Sequence, residues 1–92
     1  MKTFDEFLNE SKDFSVEFQY RFSKYDEIEG YRAVIIGSKN ENDVVDVIEA
    51  KDLKTILNSS KFKKFNISKA IVAKTEVNLN LKDIEKALKT TL

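Results

Sequence analysis

Phe14, Val16, Phe18, Tyr20 and Phe22 alternate without a fault with Ser15, Glu17, Gln19 and Arg21. Successive strand side chains point to opposite faces, so this stretch reads as a β-strand with one apolar and one polar face. The aromatic face must be covered, which commits the chain to a sheet backed by a second layer. A chain of 92 residues has room for one such domain and one small core.

The remaining periodicities fill in that frame. Residues 24–30 are polar and acidic, end in Gly30, and read as a hairpin loop. Residues 31–38 read as a second strand, where the unbroken run Ala33-Val34-Ile35-Ile36 predicts burial on both faces. Read as one helix, residues 43–58 would scatter their apolar side chains around the whole axis. A β-branched strand at 44–49 followed by a helix at about 51–60, showing Leu53, Ile56 and Leu57, is the better fit. Residues 61–66 form a basic connection. Residues 67–77 read as one strand, with Ile67, Ile71, Ala73 and Val77 on one face and Ala70 and Val72 on the other. A final helix is capped by Asn80, with Asp83 at its third position and Leu79 placed to staple onto Ile84; Leu81, Ile84, Ala87 and Leu88 form its apolar face. At the other end, Thr3 and Glu6 form a capping box, and Phe4, Phe7 and Leu8 share one face of a two-turn helix. The predicted order is α-β-β-β-α-β-α. It describes a small α+β domain over residues 11–92, a three-stranded antiparallel meander plus a fourth strand packed with two helices. The short N-terminal helix precedes it as a separate peptide, residues 1–10.

Composition removes whole classes of chemistry. Cysteine and histidine are absent, which excludes disulfides, thiolate zinc sites, cysteine nucleophiles and histidine bases. Gly30 and Gly37 stand alone, so no glycine-rich loop cradles phosphate, and no cofactor is expected. Asp43 with Asp46, and Asp26 with Glu27 and Glu29, are the acidic clusters to weigh as carboxylate or magnesium sites. Solvated loops account for them more simply, and the expectation is a protein that is not an enzyme. No apolar run approaches 18 residues and no secretory pattern opens the chain, so neither membrane insertion nor export is expected.

Sixteen basic and sixteen acidic residues cancel, but unevenly: residues 1–50 hold six basic and twelve acidic side chains, residues 51–92 ten and four. The basic half contains Lys61-Phe62-Lys63-Lys64-Phe65, with Lys69 and Lys74 beyond it. Lysines interleaved with aromatics suit DNA or RNA through phosphate contacts and stacking. The competing reading makes Phe62 and Phe65 core residues and leaves the lysines in water. The aromatics of residues 14–22 face the same choice between base-stacking platform and core, and their strict alternation favours core.

The first eleven residues, Met-Lys-Thr-Phe-Asp-Glu-Phe-Leu-Asn-Glu-Ser, carry a more specific pattern. They resemble the capsid-targeting sequence of T4-type bacteriophage internal head proteins. Lys2, Thr3, Phe4, Glu6 and Phe7 match the targeting peptide, and Leu8-Asn9-Glu10 before Ser11 matches the tripeptide after which the prohead protease cuts. No other leucine or isoleucine stands two places before a glutamate. The resemblance implies a precursor that binds the prohead scaffold, meets the prohead protease, and is stored in the virion interior. It further implies ejection with the DNA into the host cytoplasm, to bind and inhibit a host defence enzyme such as a restriction enzyme. Removing residues 1–10 deletes Lys2 against Asp5, Glu6 and Glu10, moving the net charge from zero to +2.

Overall fold

The computed structural model describes residues 14–37 and 43–92. The N-terminal helix expected at residues 3–10, with Phe4, Phe7, Leu8, Glu10 and Ser11, lies outside the described residues. Five strands and three helices follow in the order β1 (Phe14–Phe22), β2 (Ile28–Ile36), β3 (Val44–Ala50), α1 (Leu53–Leu57), α2 (Ser60–Lys64), β4 (Ile67–Val72), β5 (Thr75–Val77) and α3 (Leu81–Lys89). They form one mixed sheet ordered β3-β2-β1-β4-β5.

The alternating segment becomes the middle strand. β1 pairs antiparallel with β2, which pairs antiparallel with β3. The chain then crosses through α1 and α2 to β4, which lies parallel to β1 on its other side. Such a connection needs a dozen or more residues, and the two short helices supply them. The register stacks Val16 beside Ile35 and Ala70, and Phe18 beside Ala33, itself opposite Ile48. Onto that row pack Leu53, Ile56, Phe62, Ile84 and Leu88, giving one contiguous core on one face of the sheet. Each large side chain fully buried there contributes roughly 1.5–3 kcal/mol.

The α+β class and the three-stranded meander stand as read; the fourth strand is two. Between Val72 and its partner Thr75 only Ala73 and Lys74 remain, both at positive φ (50° and 67°), so residues 67–77 fold back as a tight hairpin. Its core face is Ala70 and Val72, while Ile71 points away. The basic connection holds a helix, α2, whose N-cap Ser59 accepts from the Phe62 N–H at 3.3 Å. Residues 51–60 shrink to α1 because the chain turns at Asn58 before that second cap. The double burial expected for residues 33–36 does not hold among the described residues. All three helices pack on the Ala33 and Ile35 side, leaving Val34 and Ile36 partly exposed on the other.

Candidate interaction surface

Alternation along each strand builds the uncovered face of the sheet. Across its middle run Val47, Val34, Glu17, Ile71 and Glu76, one from each strand in order from β3 to β5. The next row holds Ile36, Ser15 and Lys69. On the far side of the middle row come Glu49, Arg32 and Gln19. The apolar members therefore cluster toward the β2–β3 edge, where Val44, Val45 and Val47 are 52%, 42% and 39% exposed.

Charges fence this patch. The Glu49 carboxylate accepts from Arg32 at 3.1 Å and lies 3.2 Å from the Arg21 guanidinium. Arg21 reaches it across β2 because its register partner there is Gly30, which puts no side chain in the way. Gln19 donates to Glu17 at 2.6 Å. The side chains involved are about half exposed, so each pair adds little stability. Two arginines on one carboxylate leave that corner with a net positive charge.

Edge strand β3 carries its own guard. The Asp46 carboxylate accepts the Val47 backbone N–H at 2.8 Å and lies 3.3 Å from the Lys61 ammonium. The backbone bond, then Lys61, holds the Asp46 carboxyl below the usual aspartate range. A bulge between Ile35 and Ile36 breaks the ladder just before it. A bulge and an inward charge both discourage a further strand from adding to the edge.

At the other end of the helix-covered face, β1, the β4–β5 hairpin and α3 enclose a cleft of about 400 Å³. Tyr20, Phe22, Val72 and Leu88 line it, with Lys74 at its mouth. Tyr20 stacks near Phe22 and Tyr31, at 6.1 and 5.4 Å between ring centres. Burial, then Tyr31 and Glu85, pushes the Tyr20 phenol above its ordinary value.

The five lysines singled out in the sequence do not converge. Lys61, Lys63 and Lys64 sit on α2, with Lys61 engaged by Asp46 and Lys64 lying 5.5 Å above the Phe65 ring. Lys69 points to the uncovered face, beside Ser15. Lys74 lies past the far end of β4, roughly 20 Å along the strand from Lys64 at about 3.3 Å per residue. Phe62 packs on Phe18 and Phe65 on Phe14, at 6.3 and 5.2 Å between centres, so both are core residues. The β1 aromatics likewise face the helices. Asp43 and Asp46 do not share a site: the Asp43 carbonyl accepts from Gly37, while Asp46 caps the edge. Asp26, Glu27 and Glu29 surround the exposed β1–β2 turn, where the Ser23 hydroxyl accepts from the Tyr25 and Glu27 N–H groups. No acidic group of metal-binding geometry occurs among the described residues, and no described helix is long and apolar enough to cross a membrane.

The Arg21–Glu49–Arg32 corner and the valine patch escape a reading of the sequence, because they exist only once register aligns three strands. The usable signal was the odd-even position of Val34, Val47 and Ile71, opposite in phase to the buried residues beside them. Comparison with known protein families, curated proteins and solved structures found no match to this chain.

Proposed function

We propose that this chain is a phage internal head protein, made as a precursor, packaged in the capsid and delivered with the DNA as a non-enzymatic binder of a host defence protein. The observation that carries the reading is the N-terminal pattern Met1 to Ser11, with its targeting residues Phe4, Phe7 and Leu8 and its Leu8-Asn9-Glu10 cleavage tripeptide. Two features of the fold support it. The core assembled from Val16 to Leu88 is contiguous without any residue before Phe14, which suits a segment meant to be cut away. The sheet also keeps one face free of helices, with an apolar centre and a charged rim, the composition that protein partners engage.

Incubation with a T4-type prohead protease tests the proposal. The expected product begins at Ser11, identified by its mass. A chain left intact under conditions that process a known head protein overturns it, as does unprocessed chain recovered from purified virions. The partner is sought by pull-down with the processed protein, where the expected result is one host enzyme retained and its activity inhibited.

A further inference from the structure

Building on the reading of residues 1–10 as a removable segment, we propose that this segment covers the open sheet face until it is cut away, with Phe4, Phe7 and Leu8 against Val34, Ile36, Val47 and Ile71. The processed chain then presents a face that the precursor hides.

Tether length and attachment point carry the argument. Phe14 opens β1, the middle strand, and Ser15 already lies on the open face opposite Ile36. Ile36 is thus one strand spacing from the point where the segment joins, about 5 Å; Val47, two strands out, is about 10 Å away. Val34 and Ile71 flank Glu17 in the next row, about 7 Å further along. Residues 9–13, five in all, span up to roughly 17 Å when extended. Every apolar residue of the patch is within reach of Leu8, and residues further back reach further. A short tether holds the segment near this face at an effective concentration on the order of millimolar, far above that of any free partner. The three helices, by contrast, spend their apolar faces on the opposite side of the sheet.

Cleavage after Glu10 cuts that tether and leaves only Ser11, Lys12 and Asp13 before β1. The same three side chains cannot serve a scaffold groove and the sheet at once, so engagement by the scaffold also opens the face.

Methyl NMR on the full chain tests this, comparing the native sequence with the triple variant Phe4→Ala, Phe7→Ala, Leu8→Ala. The expected result is ring-current shifts at Val34, Ile36, Val47 and Ile71 that vanish in the variant and persist through tenfold dilution, while Ile56 and Ile84 stay put. Unmoved patch methyls overturn the proposal. Shifts lost on dilution overturn it too, since a second copy would then be the cover. Prohead-protease cleavage is scored separately: a cut chain with unmoved methyls sinks this inference alone, and moved methyls in a chain never cut sink the processing reading alone.

Discussion

Ala73 and Lys74 both occupy the left-handed region, at φ of 50° and 67°, in a two-residue loop whose turn type is normally filled by Asn-Gly. A side chain with Cβ costs about 1 kcal/mol or more in that conformation. The pair Ala73→Asn and Lys74→Gly should therefore stabilise the protein by about 1–2 kcal/mol, read from the urea midpoint at unchanged slope. The same absence explains why the hairpin was illegible: no turn residue interrupts residues 67–77, so they read as one strand. Acid sensitivity is also set by single residues. Asp46 is held low by the Val47 N–H and Lys61, and Asp83 by the side chains of Asn80 and Asn78. A carboxyl whose folded pKa lies below its unfolded value, near 3.9, stabilises fully above that value and loses the contribution as pH falls through the folded one. The urea midpoint should thus decline from about pH 4 downward. Asp46→Asn and Asp83→Asn should each make that decline shallower, and an unchanged slope in both would show that neither carboxylate gains from folding.

Elements with a complete face or cap were the readable ones. β1 matches its alternation residue for residue, β3 its β-branched run to within one residue, and α3 its cap: Asn80 Oδ1 accepts the Asp83 N–H at 2.9 Å. Replacing Asn80 with alanine should cost about 1 kcal/mol in chemical denaturation. By contrast, α2 spans a turn and a half, too short for any helical period, and Lys61, Lys63 and Lys64 disguise it as a connection. The open face was misjudged for a related reason. Four apolar residues in a row predict cover on both sides, but a sequence cannot say whether the second cover comes from the same layer of helices. Edge strand β3 supplies the prediction that belongs to this scale. Asp46 occupies an outward N–H and carries an inward charge, so Asp46→Val frees the edge and joins it to Val44, Val45 and Val47. That variant should associate in a concentration-dependent way in analytical ultracentrifugation while the native chain does not. A monomeric variant would assign edge protection to the bulge alone.

For the whole molecule, charge placement decides between the two classes of partner that the sequence left open. A nucleic-acid reader needs several cations on one surface so that phosphates are neutralised together. Here α2 holds three lysines, one of them tied to Asp46, while Lys69 lies on the opposite face of the sheet and Lys74 at its far end. The net charge is zero, and +2 once residues 1–10 are gone. Such a molecule gathers few phosphates at a time, so duplex DNA should bind no more tightly than the non-specific range of about 10⁻⁴–10⁻⁶ M at physiological salt. The triple variant Lys61→Ala, Lys63→Ala, Lys64→Ala separates the classes. A protein binder should keep its partner affinity unless α2 is the contact, and its weak DNA affinity should fall only slightly with salt in both forms. If α2 reads phosphates instead, the native logarithmic salt slope should be steep and the variant should flatten it by about three contacts' worth. Fluorescence anisotropy with a labelled duplex across a salt series measures both slopes. Nanomolar affinity at physiological salt would reverse the assignment, because charge spread over two faces and both ends of the sheet has no means of producing it.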